Sequence, residues 1–128
     1  QLIWTDAKEH KYIEEAGTMN VMFVVEDTIL TPKSSDTILD GITRKTVVDI
    51  AKDWGLKVEE RRISVSEIIE SFEKGTIKEA FGAGTAATIA PINSISFDGF
   101  NYRAVVWQHA ELKKIWPRHI KGPVCKSC

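Results

Sequence analysis

The sequence predicts a mixed α/β (α+β) fold: a mixed, mainly antiparallel sheet carrying two main helices. Three observations point there. Val21 to Val25 is an unbroken apolar run of strand length. Two amphipathic stretches, after Thr43 and after Ser64, open on a hydroxyl residue and stop at a glycine. Two turn signals, Glu26-Asp27 and Asp98-Gly99, sit between short apolar segments and read as hairpins, which argues against a purely parallel sheet. The order strands, helix, strand, helix, strands fits two helices packed on one sheet.

The elements follow in order. Leu2 to Trp4 reads as a short strand. Asn20 to Val25 is apolar on both alternating sets, so it is expected to be covered on both faces. Thr28 to Thr31 returns from the Glu26-Asp27 turn, and Pro32 to Asp40 is polar and turn-rich, hence a loop. Thr43 caps a helix from Arg44 to Trp54, with Val47, Val48, Ile50, Ala51 and Trp54 on its apolar face and Gly55 just past its end. Lys57 to Ile63 is a strand. Ser64-Val65-Ser66-Glu67 has the form of a capping box and starts a helix that ends near Lys74-Gly75. Ile77 to Phe81 is a strand leading into Gly82-Ala83-Gly84-Thr85-Ala86. Thr88 to Ile95 reads as another strand, and Phe97 to Tyr102 as a hairpin around Asp98-Gly99. His109 to Trp116 reads as a short helix stopped by Pro117.

The bulk properties narrow the function. A chain of 128 residues suits one domain, and 43% apolar residues can build a core. The 17 basic and 18 acidic residues leave a net charge of −1, without the basic excess of a nucleic-acid binder. No apolar run approaches the roughly 20 residues that a membrane helix needs. Gln1 to Asp6 lacks a signal-peptide pattern and reads as strand, so the chain is expected to begin inside a larger protein. Both cysteines, Cys125 and Cys128, lie at the extreme C-terminus, so the body has no disulfide framework; this fits a cytoplasmic, reducing setting.

Three segments carry residues suited to chemistry. Asp40-Gly41-Ile42-Thr43-Arg44 is a glycine turn feeding a helix, whose free N–H groups and dipole attract phosphate, with the Thr43 hydroxyl as a further donor. On spacing alone, an ordinary capped helix is the better-supported reading. Phe81 to Ala87 is small and glycine-rich, which lets backbone approach a ligand, and Thr85 can donate to an anion. Taken alone, it reads first as a tight turn. Glu14-Glu15-Ala16-Gly17-Thr18-Met19-Asn20 precedes the apolar strand; its carboxylates are solvated surface by default, or aimed into a site by the turn at Gly17.

Together these segments resemble a known family. Glu15 to Asn20 (EAGTMN) is similar to the Glu-Val/Ala-Gly-Thr-Met-Asn signature of branched-chain amino acid aminotransferases, in the fold-type IV (class IV) group of pyridoxal-phosphate (PLP) enzymes. Ile38 to Arg44 (ILDGITR) resembles the family's I-L-P-G-V-T-R segment, Lys57 to Ile63 (KVEERRI) its next strand, and Lys78 to Pro91 (KEAFGAGTAATIAP) its K-E-x-F-G-x-G-T-A segment. The four occur in the family's order over residues 1–102, the expected cofactor domain; residues 103–128 form a tail without that resemblance.

The resemblance implies roles. Glu15 would bond the pyridine nitrogen of PLP. Gly41, Ile42 and Thr43 would cradle the phosphate, joined by Gly84 and Thr85. Thr18 and Ala86 would receive the substrate carboxylate. The implied reaction moves the amino group of leucine, isoleucine or valine to 2-oxoglutarate in an enzyme that is a homodimer. The family's Schiff-base lysine lies upstream of Glu15, and no lysine here occupies a matching position, so no catalytic residue is assigned and the chain alone is expected to be inactive. The redox-active Cys-x-x-Cys of some relatives is replaced by Ala87 and Ala90.

Other readings remain open at this point: a D-amino acid aminotransferase or aminodeoxychorismate lyase of the same class, or a non-catalytic binding or dimerisation module. A metal or redox site at Cys125 and Cys128, with His109 and His119, is outweighed by an ordinary terminal tail, and no metal site is assigned.

Overall fold

The structure is a computed structural model that describes residues 2–17, 19–85 and 89–103. Strands β1 (Ile3–Thr5), β2 (Ile13–Ala16), β3 (Met19–Val25) and β4 (Thr28–Thr31) come first. Helix α1 (Ile42–Asp53), strand β5 (Lys57–Glu60) and helix α2 (Val65–Glu73) follow. Strands β6 (Ile77–Ala83), β7 (Ile89–Pro91), β8 (Ser94–Phe97) and β9 (Phe100–Arg103) complete the described chain. β1 to β7 form one sheet, while β8 and β9 pair as a separate hairpin. The expected mainly antiparallel sheet with two helices is what forms; only β4 and β5, joined through α1, run parallel.

β3 organises the sheet. One edge bonds β6 along its length, while the other bonds β2 at Met19 and Asn20, then β4 from Phe23 to Val25. Where β2 and β4 part, the Thr31 hydroxyl donates to the Val21 carbonyl at 3.1 Å, satisfying an acceptor in the buried gap. Alternation sends Val21 and Phe23 to one face, where they meet Ile63, Ile68 and Ile77. It sends Met22 and Val24 to the other, where they meet Val47, Val48 and Ala51 of α1. Helices therefore cover both faces, and the solid apolar run is the consequence. Val21, Met22 and Phe23 are fully buried, each burial being worth roughly 1.5–3 kcal/mol.

Several expected boundaries shift for local reasons. α1 starts at Ile42, not Arg44: Gly41 is the extended residue before it, and Thr43 lies inside the first turn rather than capping it. The other end is as expected, with Gly55 at a φ of 76° just past the C-cap. α2 is capped by Ser64, whose hydroxyl accepts from the Glu67 N–H at 3.1 Å. The Glu67 carboxyl is held below its ordinary range, first by its bonds to Arg61, with the Ser64 N–H adding to the effect. β5 ends at Glu60 rather than Ile63, because Ile63 turns inward to the core and its carbonyl accepts from the Ile13 N–H. The strand expected from Thr88 to Ile95 is two strands, β7 and β8, split where the Ile92 N–H donates back to Ala80. β6 runs to Ala83, past the expected Phe81. The hairpin at Asp98-Gly99 forms with positive φ at both residues (49° and 80°), the requirement of a tight hairpin turn. The helix expected over His109 to Trp116 lies outside the described residues.

β2 is an element absent from the sequence reading, since Glu14 and Glu15 break its apolar pattern. Its placement depends on Asp6 in the preceding loop. That buried carboxylate accepts from the N–H groups of Glu9 (2.7 Å), Lys11 (2.8 Å) and Tyr12 (2.8 Å). Those bonds, the Tyr12 one foremost, lower the Asp6 pKa to about 2. A folded-state pKa below the unfolded one stabilises the fold above the unfolded value and loses that contribution as pH falls. Asp6 should therefore stabilise the chain fully above about pH 4 and progressively less towards pH 2. Urea unfolding of wild type and Asp6→Asn across this range is the check: the difference between them should shrink on acidification.

Candidate functional site

Cross-strand register brings the candidate residues to one end of the sheet. Glu15 of β2 lies opposite Asn20 of β3, which lies opposite Ala83 of β6. Residues opposite one another share a face, so these three form a row on the α1 side of the sheet. β6 ends with this row, placing Gly84 and the exposed Thr85 immediately beyond it.

The loop before α1 is tied to the same row. The Glu15 carboxylate accepts the Leu39 N–H in a short hydrogen bond. The Asn20 amide donates to the Leu39 carbonyl at 2.8 Å, so the two cross-strand partners hold the backbone of one residue at its N–H and its C=O. Glu14 adds a third tie, accepting from the Thr37 hydroxyl at 2.8 Å. Two residues past Leu39 the chain reaches Gly41, where an added Cβ would collide with the Asn20 side-chain oxygen. Glycine is needed here for close approach, not for an unusual φ, which is an ordinary −68°.

The start of α1 is open. Among the described residues no side chain caps it, and its first turn contains no acid, whereas α2 is closed by Ser64 and Glu67. An uncapped first turn presents N–H groups and the positive end of the dipole, the arrangement that suits phosphate. Asp40, where the resembling segment has proline, would oppose an anion. Its carboxylate is instead turned to Lys45 at 2.7 Å, with Arg44 at 3.9 Å and the Ser34 hydroxyl at 3.1 Å. The Lys45 bond, first among these, holds the Asp40 pKa below the ordinary carboxylate range.

The structure thus brings Glu15 beside the segment leading to Gly41, Ile42 and Thr43, and delivers Gly84 and Thr85 to the same end of the sheet. Thr18 and Ala86 lie outside the described residues, as do His109, His119, Cys125 and Cys128. Among the described residues, no group of three or more His, Cys, Asp or Glu is placed to hold a metal ion. No described helix is long and apolar enough to cross a membrane. A cavity of about 730 Å³ lies on the α2 side of the fold, between β2, α2 and the β8–β9 hairpin. None of Glu15, Gly41, Ile42, Thr43, Gly84 and Thr85 lines it.

Comparison with known proteins adds the decisive observation. The model of the family described as Amino-transferase class IV matches residues 3–95. The chain belongs to the class IV aminotransferase family. Curated relatives include a probable branched-chain-amino-acid aminotransferase of Staphylococcus aureus, 47% identical over 98 residues, covering 77% of this chain and 27% of that protein. Branched-chain-amino-acid aminotransferase 2 of Bacillus subtilis is 46% identical over 95 residues, covering 74% and 26% respectively. Among solved structures, the branched-chain amino acid aminotransferase of Escherichia coli aligns with a TM-score of 0.69 and 30% identity, covering 92% of this chain and 36% of that one. An aminotransferase of Brucella abortus bound to PLP aligns at 0.57 with 28% identity, covering 64% of this chain and 27% of that one. The chain spans 27% and 26% of the length of the two curated relatives.

Two residues beside the candidate site escape sequence reasoning in this aminotransferase domain. Asn20 is the single polar residue of an otherwise apolar strand, a signal that could have singled it out. Arg44 gave no such signal: it reads as the first, solvated residue of a helix, yet it is 2% exposed. Its guanidinium donates to the Pro32 carbonyl (3.0 Å) and to Glu60 (2.9 Å), joining the loop after β4 to β5 behind the start of α1. Its Nε has no hydrogen-bond partner among the described residues. Hydrogen bonds to charged groups contribute about 1.5–3 kcal/mol, so Arg44→Ala should cost about 2 kcal/mol in urea unfolding. Arg44→Met, which keeps most of the packed stem, should cost less.

Proposed function

We propose that this chain is the cofactor-binding part of a PLP-dependent branched-chain amino acid aminotransferase. The observation that carries the reading is the Leu39 backbone: its N–H ties the Glu15 carboxylate to the segment opening α1, so one acid and one uncapped helix start sit at the same end of the sheet. Family membership and the names of the relatives support it.

The residues present fit PLP. The open first turn of α1 offers the N–H groups of Ile42 and Thr43 and the Thr43 hydroxyl to the phosphate. Gly41 leaves room for the approach, and Gly84 and Thr85 close the cradle from β6. Glu15, fixed by Leu39, accepts a proton-bearing pyridine nitrogen and keeps that proton in place. Bound there, PLP supplies an electron sink for the substrate carbon. Thr18 and Ala86 receive the substrate carboxylate and orient the amino acid. The substrates are leucine, isoleucine or valine with 2-oxoglutarate, in a homodimeric cytoplasmic enzyme whose cofactor domain includes residues 1–102. No lysine of this chain matches the family's Schiff-base position, so the residues here bind and orient but do not complete turnover.

The test uses pyridoxamine phosphate, which has no aldehyde to react with surface lysines. Its fluorescence should report saturable binding to the chain. Glu15→Ala and Thr43→Val should each weaken binding about tenfold, the scale of one charge-assisted or phosphate-directed bond. No binding by the wild-type chain would overturn the reading. Steady transamination of leucine by this chain with added PLP would overturn the assignment of the missing lysine.

A further inference from the structure

We infer that Asn20 is a positioning residue that sets the spacing between the Glu15 carboxylate and the start of α1, and so makes two separate subsites act as one. The inference rests on the cofactor reading given above. Asn20 is 5% exposed within a strand whose other side chains are all apolar. A polar group buried there costs free energy unless its bonds are met. Its amide meets that requirement on the Leu39 carbonyl at 2.8 Å. Its side-chain oxygen packs against Gly41 so closely that a Cβ would displace it. Asn20 therefore touches both the residue whose N–H bonds Glu15 and the residue that opens α1.

Leu39 is 70% exposed, and among the described residues its remaining backbone tie is local, its carbonyl accepting from the Gly41 N–H at 3.0 Å. Without the Asn20 amide, the Leu39–Gly41 segment would keep its tie to Glu15 but lose the contact that fixes α1's first turn relative to the sheet. A ligand whose ring and phosphate are covalently joined gains from that fixed spacing, because binding one half presents the other at high effective concentration. A ligand that fills only one subsite gains nothing from it. Gly41→Ala acts on the same contact from the other side: the new methyl can be housed only if the Asn20 amide swings off Leu39.

The test is a double-mutant cycle of Asn20→Ala and Gly41→Ala in this chain, with three probes: pyridoxamine phosphate, pyridoxamine and inorganic phosphate. Asn20→Ala should weaken pyridoxamine phosphate about tenfold while changing the two half-ligands less than about twofold; Gly41→Ala, which also crowds the phosphate approach, is read in the cycle alone, where the two losses on pyridoxamine phosphate should be less than additive. Equal loss of all three probes would overturn the inference, making Asn20 a fold residue. Unchanged pyridoxamine phosphate binding, or additive losses in the cycle, would overturn it as well. Should Asn20→Ala fail to fold, Asn20→Ser, whose shorter side chain cannot reach the Leu39 carbonyl, decides by the same contrast between joined and separate ligands. Wild type binding with unaffected variants sinks only this inference, whereas no binding by wild type sinks the cofactor reading and this inference with it.

Discussion

The fold depends on β3 being bonded along both edges and covered on both faces. A strand in that position has no freedom of register, since a slip of one residue would exchange its two apolar sets and unpair β2, β4 and β6 together. That rigidity fixes where Glu15, Asn20 and Ala83 stand relative to one another. The row they form is thus a product of the core: Phe23 and Met22 bury on opposite faces a few residues further along the same strand. A site built on such an element inherits its precision, which loops alone do not supply.

The second constraint is polar. The sheet forks where β2 leaves β3's edge and β4 takes it over, and the segment from Pro32 to Gly41 runs from β4 back to the mouth of that fork. Its last residues are held by Glu14, Glu15 and Asn20 rather than by apolar packing. Arg44 secures the opposite side of α1's first turn through Pro32 and Glu60. The helix start is therefore clamped from two directions while its own N–H groups stay uncapped. An anion-binding helix end needs that combination, because a terminus that capped itself would have nothing to offer, and one left loose would not hold a geometry.

The core and the two helices were legible because their signals are periodic. Val21 to Val25 read as a doubly covered strand, and Ser64 with Glu67 as a helix start, and both are what forms. What escaped depends on tertiary partners. β2 contains Glu14 and Glu15, and nothing in their sequence reveals that Thr37 and Leu39 would come to meet them. Thr43 has the chemistry of a cap, but the sequence could not show that Gly41 would already be packed on Asn20, which places the helix start ahead of Thr43. Arg44 is charged and buried, and only the loop carbonyl and the Glu60 carboxylate explain why that is tolerable. The ordered motifs pointed to the correct family; pattern alone left them an ordinary capped helix, a tight turn, a solvated acidic pair and a strand.

The charge at residue 40 shows how far a motif can vary while its geometry survives. Where the resembling segment has proline, Asp40 lacks the fixed φ that would predispose the chain to turn, and it adds a negative charge beside the helix start proposed to hold the phosphate. Lys45 and Arg44 answer the charge, and the bonds on Leu39 from Glu15 and Asn20 supply the conformational restraint that the ring would otherwise give. Here the restraint comes from neighbours of the residue. A clamp made of contacts, unlike a proline, can be undone by a change on either side of it, and Asn20 and Gly41 are the two sides of the contact at the start of α1.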